Sequence, residues 1–197
     1  MKIVLASNNK GKLREFNRLL EPLNVDVHPQ GEFNVASAPE PYGTFLENCL
    51  TKARHAARET GLPAIADDSG ICVDALGGLP GVLSARFAGE PSDDAKNNAL
   101  LIEKLKGQTN RAAHYTCVLV AVRHPEDPEP IIAEGRWYGE VIDEPKGDGG
   151  FGYDPYFYLP SEGKTAAELT TEAKNAISHR GLAMVKLIEE MKRRWAL

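Results

Sequence analysis

The chain has 197 residues, 42% of them hydrophobic and 26% charged, proportions that fit a water-soluble globular protein and exclude disordered and fibrous classes; a chain this long buries roughly 70% of its unfolded surface, enough for one substantial core. The net charge of -5 argues against a broad grip on polymeric nucleic acid, which relies on several Lys and Arg contacts to phosphates, and no stretch approaches the roughly 18 uninterrupted apolar residues of a membrane span. Cys49, Cys72 and Cys117 lie in apolar runs without C-x-x-C spacing and read as reduced core residues; with an opening apolar run too short for a signal peptide, a cytoplasmic address is expected.

In chain order, residues 3–6 form a short apolar run that suits a buried strand, and the polar stretch 7–12 follows. Leu13, Phe16, Leu19 and Leu20 then recur at helical spacing until Glu21-Pro22 stops the helix. Thr44-Phe45-Leu46-Glu47 has the capping-box form. The helix it opens has an apolar face of Phe45, Leu46, Cys49, Leu50, Ala53, Ala56 and Ala57, with Glu47, Lys52 and His55 on or near the polar side; Gly61 and Pro63 supply the stop.

Residues 64–66 read as a strand that ends abruptly at Asp67-Asp68-Ser69-Gly70, with Ser69 and Gly70 in a turn. Gly77, Gly78, Pro80 and Gly81 mark a tight loop, and Ser92-Asp93-Asp94 opens a helix that carries Leu100, Leu101 and Leu105 to Gly107. Residues 115–122 form the strongest strand, with 131–138 as an antiparallel neighbour. Residues 146–155 are too glycine-rich for a helix and too polar for a buried strand, so a loop with its backbone close to another group is expected. Ile177, Leu182, Val185, Ile188, Met191 and Trp195 trace a last amphipathic helix. No internal repeat, low-complexity tract or linker interrupts the chain. The whole reads as mixed α/β: one domain spanning 1–197, its central sheet flanked by helices and its strand ends feeding polar loops.

Four segments carry possible chemistry. A polar loop before a helix N-terminus is a natural anion site, and Ser7-Asn8-Asn9-Lys10-Gly11-Lys12 has that form, although it lacks the P-loop pattern and also fits an ordinary solvated turn. Paired carboxylates such as Asp67-Asp68 suit Mg2+, which takes one or two carboxylates together with substrate phosphates, and Glu40 or Glu47 is available to add another; two solvated acids on a capped loop are the plainer reading. Phe151 and Tyr153, beside Gly152 and Asp154, could stack on a flat purine or simply fill the core. Ser178-His179-Arg180 places an imidazole and a guanidinium together as donors, although a lone His near a helix start is more often structural. No H-E-x-x-H, no G-x-S-x-G elbow and no activated cysteine is present.

Taken together, Ser7-x-Asn9-x-x-Lys12, Ala66-Asp67-Asp68-Ser69-Gly70, Gly77-Gly78-Leu79-Pro80-Gly81, Phe151-Gly152-Tyr153-Asp154-Pro155 and Ser178-His179-Arg180 resemble, in order, the signatures of the inosine/xanthosine triphosphate pyrophosphatase family. The resemblance implies an elongated α/β fold with a long mixed sheet, two lobes around a central cleft, a homodimer, and Mg2+-dependent cleavage of purine nucleoside triphosphates such as ITP, dITP and XTP between the α and β phosphates. It also implies roles. Ser7, Asn8, Asn9, Lys10, Gly11, Lys12 and Lys52 would hold the triphosphate, and Asp68 would serve as base and, with Glu40, as metal ligand. Ser69 would contact substrate, Phe151, Gly152, Tyr153, Asp154 and Lys174 would surround the base, and His179 with Arg180 would read it. The rival readings are a non-catalytic nucleotide-binding module and a general nucleotide phosphatase.

Overall fold

A computed structural model describes residues 1–197. Seven strands form one sheet in the order β2-β1-β3-β4-β5-β6-β7: β1 (Lys2–Leu5), β2 (Asp26–Pro29), β3 (Ala64–Val73), β4 (Ala112–Val122), β5 (Ile131–Val141), β6 (Phe157–Leu159) and β7 (Lys164–Thr165). β1 pairs in parallel with β2 and β3, whereas β6 pairs antiparallel with β5 and β7. The sheet is therefore mixed, as the sequence predicts. The helices are α1 (Lys10–Leu20), α2 (Phe45–Thr60), α3 (Asp94–Leu105), α4 (Thr171–Ile177) and α5 (His179–Trp195).

The chain divides into two compact units. Unit 1 comprises Met1–Asp68, Val118–Glu134 and Ala183–Leu197; unit 2 comprises Ser69–Cys117 and Gly135–Leu182. In unit 1 the small side chains Ala53, Ala56 and Ala57 of α2 pack with Val4 of β1, Ala64 and Ala66 of β3 and Val118, Val120 and Val122 of β4. Removing such apolar surface from water is the main favourable contribution to folding. Unit 2 has an aromatic core instead, in which Tyr115, Trp137, Tyr153 and Phe157 pack with Ile71, Val73, Leu101 and Leu105.

The local signals work where expected. Thr44 caps α2 by accepting from the Glu47 N-H, and Gly61 ends it at φ 68°; Asp93 caps α3. Four expectations are corrected. β3 does not end at Asp67 but runs through Asp67-Asp68-Ser69-Gly70 to Val73, so no turn forms there. A strand tolerates these acids because both are paired with lysines from helices. Leu46 is exposed rather than part of the buried face of α2, and Cys72 is half-buried, unlike Cys49 and Cys117. The last helix starts at His179, not at Ile177. Ser178 is extended at φ -70°, ψ 161°, and its hydroxyl accepts from the Gly181 N-H, which starts a new helix in the manner of an N-cap. Any side chain at Gly181 would strike the Asn175 carbonyl, so this junction requires glycine.

Candidate functional site

Unit 1 gathers a loop, a helix start and three acids. Asn9 caps α1 by accepting from the Lys12 N-H, and the Ser7 hydroxyl accepts from the Asn9 N-H. The first turn contains no acid and presents Lys10, Gly11 and Lys12. Positive ends of helices favour anions, and two lysines strengthen that field. Asn8 is used differently from the expectation of a simple ligand contact: its side-chain oxygen accepts from the Gly31 N-H at 2.8 Å, which ties this loop to the turn after β2.

Lys12 reaches across 55 residues to Asp67, with Nζ 2.8 Å from Oδ1; the Asp67 side chain is fully buried. Beside it, the Lys52 ammonium donates to Glu40 at 2.5 Å, to Asp68 at 3.0 Å and to the Asp67 carbonyl at 2.9 Å. Lys52 thus lies within a carboxylate cage and not on the outer polar side of its helix. Burial lowers its affinity for a proton, but Asp68 and Glu40 more than offset this and hold the ammonium above its usual pKa.

Asp68 responds in the opposite direction. Burial pushes its carboxyl from 3.8 up to about 6, against the pull of Lys52, with Glu40 and Asp67 adding repulsion. Its Oδ2 is buried and has no hydrogen-bond partner among the protein groups. An anionic oxygen left in that state is costly, and a hard cation is the kind of partner that satisfies it. Asp68 and Glu40 therefore fit Mg2+ in donor chemistry. They do not form a preformed cage of three protein ligands, and Mg2+ characteristically completes its shell with phosphates and water.

Unit 2 builds a second cluster around Asp154, a buried carboxylate between β5 and β6 in sequence. Its Oδ1 accepts from the Tyr115 hydroxyl at 3.1 Å; its Oδ2 accepts from the Phe151 N-H at 3.0 Å and from Lys174 Nζ at 2.5 Å. Burial and the nearby Asp154 charge push the Tyr115 phenol well above its usual pKa, so it remains a donor. Lys174 also sits 4.7 Å from the centre of the Phe151 ring. That ring is 64% exposed, a large apolar surface in solvent. Gly150, at φ 69°, leaves no room for a side chain, since an added Cβ would collide with Asp154 Oδ2.

His179 is buried and stacks on Tyr115, with centroids 4.7 Å apart and planes 12° off parallel, and on Trp137 at 6.1 Å. Arg180 follows it in the first turn of α5 and is half-buried. Tyr153 is buried and donates its hydroxyl to the Ser84 carbonyl at 2.6 Å, which supports the core-filling reading for this aromatic, whereas Phe151 supports the stacking one. Ser69 is the first residue of unit 2 and half-buried.

The structure thus joins Lys12, Glu40, Lys52 and Asp68 in one cluster, and Phe151, Asp154 and Lys174 in another with His179 packed on Tyr115. Sequence reasoning assigned no individual role to Asp67, Tyr115 or Trp137. Asp67 carried a signal in its pairing with Asp68, while the two aromatics looked like ordinary core residues.

This fold and these clusters define an open-sheet mixed α/β protein with an acid-lysine centre beside the polar loop that precedes α1. The Ham1 family profile matches residues 3–190, and the chain belongs to that family. It is 63% identical over 194 residues to a dITP/XTP pyrophosphatase of Ralstonia nicotianae, covering 97% of this chain and 96% of that protein. It is also 63% identical over 190 residues to one of Chromobacterium violaceum, covering 96% of each. Among solved structures, a HAM1 protein from Coxiella burnetii superposes with a TM-score of 0.95 at 47% identity over 98% of this chain and 99% of that one. The Staphylococcus aureus Ham1 protein gives 0.88 at 39%, over 96% and 98%.

Proposed function

We propose that this chain hydrolyses non-standard purine nucleoside triphosphates, dITP, ITP and XTP, to the nucleoside monophosphate and pyrophosphate, keeping them out of DNA and RNA. The observation that carries the reading is the unit 1 cluster, in which lysines and carboxylates alternate beside a helix N-terminus. Bare carboxylates repel a triphosphate, so a site that only gripped phosphates would have little use for three of them. The name dITP/XTP pyrophosphatase carried by relatives at 63% identity supports dITP and XTP among these substrates.

Each group has a part. The loop 7–12 and Lys52 hold and neutralise phosphate oxygens. Asp68 lends its carboxylate to orient the attacking water and to accept its proton, the part of a general base within reach of the reacting group. Glu40 and Asp68 would hold Mg2+, which offsets phosphate charge and orients oxygen ligands when bound. In unit 2, Phe151 offers its exposed face to the base, Lys174 and Asp154 border it, and Arg180 with His179 presents donors toward the purine O6. Ser69 contacts the substrate from the start of unit 2.

We further propose a single functional domain of two lobes, a homodimeric assembly and a cytoplasmic location; no helix is long and apolar enough to cross a membrane. Incubation with ITP and Mg2+ tests the function. Pyrophosphate with IMP is expected, orthophosphate indicates a phosphatase, and intact ITP indicates a binding module.

A further inference from the structure

The purine-side loop of unit 2 is gripped from outside by two side chains of α3 that belong to neither cluster. Asp94 Oδ2 accepts from the Gly152 N-H at 2.8 Å, and Asn98 Nδ2 donates to the Gly152 carbonyl at 2.9 Å. The two residues are four apart, so one face of α3 presents both. They hold both polar atoms of one peptide residue at the same time. The Asn98 amide is well fixed in this position, because the residue is only 6% exposed and its nitrogen also donates to the Asp94 carbonyl at 2.9 Å.

Gly152 lies immediately after the exposed Phe151 ring and two residues before Asp154. It occupies the left-handed region at φ 61°, and nothing crowds the space where a Cβ would be. Its glycine identity is therefore set by backbone conformation, and contacts elsewhere must fix its position. Phe151 N-H is tied to Asp154, the Phe151 carbonyl accepts from the Asp154 N-H at 3.2 Å, and Tyr153 is tied to Ser84, but none of these bonds anchors the Gly152 N-H or carbonyl to a group outside the loop. The α3 pair supplies that restraint.

We propose that Asp94 and Asn98 are positioning residues that set the attitude of the Phe151 ring toward the purine, an inference that rests on the base-binding role proposed above. Neither side chain touches the base on this reading. Their effect is confined to ligands that carry one: a loop held in place offers its aromatic face without an ordering cost at binding, and a released loop incurs that cost.

The test uses Asp94→Ala and Asp94→Asn in the full-length chain. Asp94 is exposed, so both variants should fold, and Asn keeps an acceptor at the same reach. Binding of IMP and of inorganic pyrophosphate is measured by calorimetry with Mg2+, and hydrogen exchange of peptides covering 149–156 is followed in the free proteins. Asp94→Ala should weaken IMP binding by about fivefold to tenfold, the net weight of one ordinary hydrogen bond, leave pyrophosphate binding within about twofold on the same scale, and speed exchange in the loop. Asp94→Asn should restore most of the IMP affinity. Wild-type IMP affinity in Asp94→Ala, equal losses in both variants, or an equal loss for pyrophosphate would each overturn the proposal. Failure of the wild-type protein to bind IMP while binding pyrophosphate would instead overturn the base-binding reading beneath it.

Discussion

Asp68→Asn separates catalysis from stability, because the structure makes the carboxylate costly in one respect and necessary in the other. Burial raises the Asp68 carboxyl from 3.8 to about 6, and its side chain is only 13% exposed. A carboxyl that binds its proton more tightly folded than unfolded lowers stability when ionised. That penalty is fully present above the folded value, shrinks as pH falls through it, and is absent well below 3.8. The gap corresponds to about 3 kcal/mol at pH 7.5 and about 1 kcal/mol at pH 4.5. Asparagine does not titrate, and Lys52 keeps Glu40 at 2.5 Å. In chelated, metal-free buffer the stability of the variant relative to wild type should therefore fall by about 2 kcal/mol between pH 7.5 and pH 4.5. Urea unfolding of both proteins at each pH measures it, and turnover of ITP with Mg2+ should be nearly abolished. Parallel stability profiles would refute the burial argument, and a wild-type kcat would refute the catalytic role.

Three further outcomes concern other parts of the molecule. Asp127 is completely buried and accepts from the Arg123 backbone and guanidinium and from the Glu129 N-H, and the Arg123 hydrogen bonds hold its carboxyl well below the usual range. Its contribution is complete above the unfolded value of 3.8 and fades as pH falls toward the folded one, so Asp127→Ala should cost about 2 kcal/mol at pH 7 and less in strong acid, as read by denaturation; a pH-independent cost would contradict this. Gly150→Ala should cost about 2 kcal/mol, the strain of a side chain in the left-handed region apart from the collision with Asp154, and should raise KM for ITP; a neutral substitution would mean that the loop is not held as described. Arg180→Ala should lower kcat/KM for ITP far more than for ATP, because unpaired donors reject adenine's N6 amine less strongly once one is removed. Equal proportional loss would assign Arg180 to phosphate binding or structure instead.

What could be read in the chain itself divides by sequence distance. The start of α2 is legible in Thr44 and Glu47, the start of α3 in Asp93, and the glycine loop before Asp154 in its composition, because caps and turns are decided by groups within a few residues of one another. The ordered motifs 7–12, 66–70, 151–155 and 178–180 likewise single out Lys12, Asp68, Phe151, Asp154 and His179, whereas Glu40, Lys52, Tyr115 and Lys174 of the same clusters lie outside them. Asp68 and Lys52 stand out in the sequence as candidate site residues, but a pattern read locally makes one the end of a strand and the other a solvated helix face.

The tertiary structure decided the rest. Lys12 meets Asp67 across 55 residues and Tyr115 meets Asp154 across 39, and no periodicity encodes such pairs. Lys12 on Asp67, together with Lys52 on Asp68, explains why β3 continues through two acids that should have ended it: opposite charges brought in by α1 and α2 offset the cost of burying them. The same holds for the raised pKa of Asp68, which depends on how much water the packed fold excludes, and for the grip of Asp94 and Asn98 on Gly152, which exists only once α3 lies against the loop. Local chemistry fixed which residues could act; the desolvation and pairing that let them act arise only when distant segments pack together.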